Sequence, residues 1–108
     1  MKANLLIAAL TITLLSSCGK SKKDPCFDSK KEEFKKDCCT HGAKIKEYKF
    51  QGNTVYVFDP GICGADQTSE VTNEKCETLG YLGGIAGNTK INGEDFLKAK
   101  FKSTIWSN

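Results

Sequence analysis

The apolar positions of this chain change their period along its length, and each change marks an element. Leu5 to Leu15 is an almost unbroken apolar run behind a short start with one Lys, well below the roughly 20 residues of a membrane-spanning helix. A polar stretch follows. Asp24-Pro25 then reads as a cap and first helical residue, and Phe27, Phe34 and Cys38 fall on one helical stripe. Asp28/Lys31, Glu32/Lys35 and Glu32/Lys36 stand at helical pair spacing on the other faces. The pattern predicts a helix from Pro25 to about Asp37.

Beyond Gly42 the period shortens. Ala43 to Phe50 and Thr54 to Phe58 flank Gln51-Gly52-Asn53, and the second run is β-branched and aromatic throughout, which predicts a hairpin. Asp59-Pro60-Gly61 ends it as a turn. Ile62 to Asn73 is polar and reads as a loop pinned through Cys63, and Cys76 to Leu79 reads as a further strand before the Gly-rich run Gly80 to Gly87. Asn92-Gly93-Glu94-Asp95 resembles a helix start, with Phe96, Leu97 and Phe101 as its buried stripe and Lys98, Lys100 and Lys102 toward its C-terminal end. Ile105 and Trp106 close the chain against the core. Helix, hairpin, strand and second short helix define an α+β domain with an antiparallel sheet.

The cysteines constrain this layout. With Cys18 set aside, Cys26, Cys38, Cys39, Cys63 and Cys76 remain. A helix between Cys26 and Cys38 separates them by about 18 Å, whereas a disulfide holds its Cα atoms within about 7 Å. Cys26 therefore pairs with Cys63 or Cys76, and one of Cys38 and Cys39 takes the other. One thiol is left over.

Composition narrows the function. All 16 basic residues are Lys, and the formal net charge is +3. Arg is the usual residue for forked recognition of phosphate and guanine edges, so nucleic acid is not an expected partner. Cys38, Cys39 and His41 place three soft ligands within four residues, but adjacent cysteines do not match structural zinc spacing. A metal or thiol-redox centre there is the alternative reading. The Gly-rich run fits neither phosphate-loop nor dinucleotide patterns. No nucleophile elbow is present, and Asp59, Asp66, Glu70 and Glu74 lack calcium-loop spacing. The expectation is a non-enzymatic protein without a cofactor, with Tyr48, Tyr56 and Phe58, or the loop from Ile62, as its contact surface.

Two resemblances add an address. Leu15-Ser16-Ser17-Cys18 behind the apolar run resembles the lipobox of bacterial lipoproteins, in which the cysteine is acylated and becomes the N-terminus. That implies a leader over residues 1–17, lipidated Cys18 with a polar tether over 18–24, and one domain over 25–108. Two or more acyl chains anchor stably where one does not. Gly19, in place of the Asp that retains enterobacterial lipoproteins at the inner membrane, points to the outer membrane.

From Cys26 onward the order of features is similar to a family of small Bacteroidota lipoproteins of uncharacterised function. The matching pieces are Cys26, Lys46-Glu47-Tyr48, Gly52-Asn53-Thr54-Val55-Tyr56, Cys63, Cys76, Gly83-Gly84-Ile85-Ala86-Gly87, Asp95-Phe96 and Ile105-Trp106. Family members often carry adjacent cysteines at the position of Ile62-Cys63 and one before the position of Gly93; here Cys38-Cys39 implies a relocated bridge. The combined expectation is a lipid-anchored envelope lipoprotein that binds or inhibits an envelope or extracellular protein or glycan. A purely structural envelope component is a further alternative.

Overall fold

The computed structural model describes residues 25–108. The expected leader, Cys18 and the tether lie outside the described residues. Helix α1 (Pro25–Asp37) has the predicted bounds, with Asp28 in its first turn and Lys35 and Lys36 in its last, each complementing the helix dipole. A helix of 13 residues is marginal alone, so tertiary contacts must hold it. Phe27 is buried and meets the rings of Tyr56 and Phe58 at 4.6 and 6.1 Å. Phe34 meets Phe58 and Trp106 edge-on at 5.4 and 6.1 Å.

Strands β1 (Lys44–Phe50), β2 (Asn53–Asp59), β3 (Thr68–Asn73), β4 (Thr78–Gly83) and β7 (Lys100–Ser107) form one sheet in the order β4-β3-β2-β1-β7. Every neighbouring pair is antiparallel. Two short strands, β5 (Lys90–Ile91) and β6 (Glu94–Asp95), pair separately on the connection from β4 to β7, followed by a single 3₁₀ turn over Phe96–Lys98.

This connection covers the sheet face opposite α1. Ile91 is buried there with Phe50, Val55, Val57 and Val71, and Phe96 and Ala99 pack around them. Tyr56 and Phe58 face the helix with Phe27 and Ile45. Alternate residues of β2 thus enter different cores, and Val55, Tyr56, Val57 and Phe58 are all buried. The architecture is α+β, mostly antiparallel sheet with one helix.

Three expectations change. Residues 68–73 form β3 rather than loop. Its only large apolar residue is Val71, and pairing with β2 supplies what its own pattern lacks. Glu70 on β3 is fixed by Lys30 of α1 at 2.9 Å and by the Thr78 hydroxyl. The expected strand at 76–79 begins at Thr78 and runs into the Gly-rich segment. The second helix shrinks to the 3₁₀ turn. Asn92 and Gly93 have φ of 50 and 78°, the paired positive values of a mirror-image hairpin turn, so Asn-Gly joins β5 to β6 instead of capping a helix. Asp95 is the residue that caps, accepting the Leu97 N–H at 3.0 Å.

Gly80 lets β5 lie against β4. A Cβ there would stand 2.9 Å from Ile91 Cδ1, and Ile91 is fully buried. Gly80→Ala is expected to cost about 1–3 kcal/mol by overpacking, seen as a lower denaturant midpoint at unchanged slope. Burial, and then Glu47 and Glu74, push the Tyr56 phenol up to about 12 from 10.0. The unfolded chain ionises this tyrosine first, so its contribution is complete below pH 10 and is lost as pH rises toward 12. Tyr56→Phe should flatten the fall in stability across that window, measured by urea denaturation at stepped alkaline pH.

Candidate functional site

The cysteine geometry selects among the open pairings. Cys26 in the first turn of α1 bridges Cys76 in the β3–β4 turn, with Cα atoms 6.3 Å apart. Cys39 bridges Cys63 across 5.7 Å, fixing the segment after α1 to the β2–β3 loop. Cys38 is the free thiol, half-buried, with Sγ 3.6 Å from the Lys35 carbonyl oxygen.

This arrangement separates the three soft ligands of the alternative metal or thiol-redox reading. Cys39 is committed to a disulfide and has no thiolate to offer, which leaves Cys38 and an exposed His41 whose Nδ1 lies 3.2 Å from Thr40 Oγ1. Among the described residues no group of three His, Cys, Asp or Glu side chains is gathered to hold a metal. No described helix is long and apolar enough to cross a membrane.

The expected aromatic contact surface divides. Tyr56 and Phe58 are buried beneath α1 and present nothing to a partner, because the helix covers the face on which they stand. Tyr48 points to the other face and is half-buried. Its ring meets Phe96 at 5.1 Å and Phe101 at 5.6 Å, both edge-on. Burial, and then Asp59, raise its phenol above the ordinary tyrosine value.

Tyr48 forms one wall of a cleft of about 370 Å³ with Leu82, Thr89, Phe96, Leu97 and Ala99. The elements that build it come from distant parts of the chain. β1 brings Tyr48 and β4 brings Leu82, while the 3₁₀ turn lays Phe96 and Leu97 across them. The two other polar residues at its edge are engaged elsewhere. Asn88 Nδ2 donates to the carbonyls of Tyr81 and Lys90 at 2.6 and 2.9 Å, and Asp95 caps the 3₁₀ turn. What remains available is mainly apolar, beside the Tyr48 and Thr89 hydroxyls, and Leu97 on the lip is 88% exposed. Sequence patterning placed Leu97 and Phe101 in a buried stripe; both are exposed because the stripe belongs to no helix. Ile62 and Ile85, on loops at the other end of the sheet, are also exposed.

A second cavity of about 310 Å³ lies where three turns meet, over Phe50, Val55 and Leu79. Its amides brace one another. Gln51 Nε2 donates to Glu94 at 2.9 Å, Asn92 Nδ2 to Gln51 at 3.4 Å, and Asn73 Nδ2 to Glu77 at 2.7 Å. The bond from Gln51, aided by Lys98, holds the Glu94 carboxyl below its usual range. These groups tie turns together and leave little free hydrogen-bonding capacity.

Fold and site together define a small disulfide-bridged α+β domain with an apolar cleft on its sheet. Residues 27–108 match the domain of unknown function DUF6970, and the chain belongs to that family. No curated protein and no solved structure matches the chain.

Alkylation of the unreduced protein, followed by peptide mapping, is expected to label Cys38 and to recover the peptides of Cys26 with Cys76 and of Cys39 with Cys63. Cys38→Ser should leave stability within about 0.5 kcal/mol. Losing the Cys26–Cys76 bridge should cost about 2–5 kcal/mol in the same denaturation assay.

Proposed function

We propose that this chain is a lipid-anchored envelope protein that works by binding, with the cleft beside Tyr48 as its contact site and Cys18 as its anchor. The observation that supports this is the cleft itself. It is mainly apolar, it has an almost fully exposed leucine on its lip, and its Asn88 and Asp95 side chains are already bonded. Concave apolar surface with a few fixed polar groups is the usual form of a binding site. Two disulfides hold the scaffold, which lowers the ordering cost of association.

An apolar lining suits a side chain of a partner protein better than a glycan, whose hydroxyls would find few free donors and acceptors there. The partner is accordingly an envelope or extracellular protein that inserts an apolar group, in the manner of an adaptor or an inhibitor. The lipobox-like Leu15–Cys18 supports a position on the cell envelope, and Gly19 after it supports the outer membrane.

The test is photo-crosslinking in cells from the anchored full chain. A photoreactive residue at Thr89, on the cleft wall, should give a discrete adduct, and one at Glu33 on α1 should not. Ala99→Trp, which fills the cleft, should abolish the Thr89 adduct while the domain still unfolds in one cooperative transition. Equal adducts from Thr89 and Glu33, or none from Thr89, would remove the cleft from consideration.

A further inference from the structure

Strand register brings one end of β7 to the end of the sheet where the described chain begins. Lys100 pairs with Lys49, Lys49 with Thr54, and the adjacent Val55 with Asn73. The Asn73 carbonyl accepts the Cys76 N–H at 3.2 Å, and Cys76 is bonded to Cys26 in the first turn of α1. The start of β7, the β3–β4 turn and the N-terminus of α1 therefore share one end. Residues 19–24 span at most about 20 Å from there to Cys18.

The surface at that end has an unusual composition. Leu97 and Phe101 are 88 and 54% exposed, and they alternate with exposed Lys98, Lys100 and Lys102. Lys46 Nζ lies 5.8 Å from the Phe101 ring centre. Lys49 stands directly opposite Lys100 across the β1–β7 ladder. Like charges in directly opposed positions destabilise a sheet, and among the described residues neither lysine has a carboxylate partner. Of this group only Lys98 is paired, with Glu94 at 3.4 Å. Alternation puts Lys49 and Lys100 on the α1 side of this strand end and Phe101, opposite Tyr48, on the cleft side. A repulsion that an external anion would relieve and two apolar side chains that packing leaves out therefore flank the β7 edge from its two sides.

We propose that Leu97 to Lys102, together with Lys49, is a membrane-contact edge, seated with the start of β7 toward the bilayer. Leu97 and Phe101 enter the boundary between headgroups and acyl chains, and the lysines lie among anionic headgroups. This inference rests on the anchor reading, because the tether is what holds this corner near a bilayer. Apolar side chains flanked by lysines are the pattern of interfacial membrane contact, and each lysine near an anionic surface adds to the attraction. The long lysine stems lie along the apolar surface while their ammonium groups reach outward. The acids at the same end are placed compatibly. Glu74 and Glu77 flank Cys76 in the β3–β4 turn, at the tether's origin and the opposite edge of the sheet from β7, while Glu94 is bonded to Gln51 and Lys98, and Asp95 caps the 3₁₀ turn. The domain leans on its β7 corner.

The test uses the full chain purified from membranes and reconstituted in vesicles, with an environment-sensitive fluorescent amino acid in place of Leu97. Vesicles of phosphatidylcholine are compared with vesicles containing added phosphatidylglycerol, each with and without brominated acyl chains. The fluorophore is expected to shift to the blue and be quenched by bromine in the anionic vesicles at low salt, and to revert at high salt. Lys49→Gln, Lys100→Gln and Lys102→Gln should each lower the ratio of docked to undocked chain about fivefold. The first two relieve the Lys49–Lys100 repulsion, so they should melt at the same or a higher temperature, which separates lost docking from lost folding. A chain that pellets with both vesicle types while residue 97 stays in water overturns the contact edge and leaves the anchor standing. A chain that pellets with neither overturns both. A shift independent of phosphatidylglycerol and salt, or one produced by polyglutamate without lipid, also overturns the proposal, the latter in favour of an acidic protein partner.

Discussion

Everything in this domain depends on burying both faces of β2. Val55, Tyr56, Val57 and Phe58 follow one another without a polar residue, and successive side chains of a strand point to opposite faces. Such a strand needs two covers. Helix α1 supplies one through Phe27 and Phe34, and the β4–β7 connection supplies the other through Ile91 and Phe96. Neither cover is strong alone, since α1 buries a single residue fully and the connection holds only two-residue strands. The Cys26–Cys76 bridge closes a separation of 50 residues. In a chain-entropy account it contributes about 4 kcal/mol, a large part of the 5–15 kcal/mol typical of a whole domain. The staple turns a weakly apolar helix into a permanent lid.

The two edges of the sheet are managed differently, and the difference bears on function. β4 is closed by the turn that follows it: Asn88 bonds the Tyr81 carbonyl and bridges back to Gly83. β7 is left open but carries Lys100 and Lys102, and its register against β1 shifts twice. Bulges and lysines are the usual means of keeping an edge from pairing with another chain. Here the same lysines flank exposed Leu97 and Phe101, so the guard against strand pairing doubles as an electrostatic contact edge.

The cleft and the contact edge at the start of β7 meet at Leu97, which lines the one and leads the other. The cleft is mainly apolar because Asn88 and Asp95 are spent on turns and caps, leaving shape and area to do the recognising. The edge at the start of β7 is cationic because lysines accumulate where two strands end. Both are products of the connection between β4 and β7, which first packs Ile91 into the core and then leaves Leu97 outside it.

Local chemistry determined the elements that carry their own signals. Asp24-Pro25 and a helical stripe set α1, and the β-branched run beside Gly52 set the first hairpin. Helix length alone barred Cys26 from Cys38 and Cys39. Its choice of Cys76 over Cys63 was a tertiary matter, because it depends on β3 bringing the 73–77 turn to the N-terminus of α1. β3 was illegible since Thr-Ser-Glu-Val-Thr-Asn has one large apolar residue, and its strand conformation comes from pairing with β2 and from Lys30 on Glu70. β7 is hidden in the sequence because Phe96, Leu97 and Phe101 also fit a helical stripe. Asn92-Gly93 is the deciding hairpin signal, and its Asn before two acids mimics a helix cap. The cleft required Tyr48, Leu82 and Leu97 from three separate elements to meet. Periodicity gives which residues share a face of one element, but only packing between elements decides which of those faces stays open.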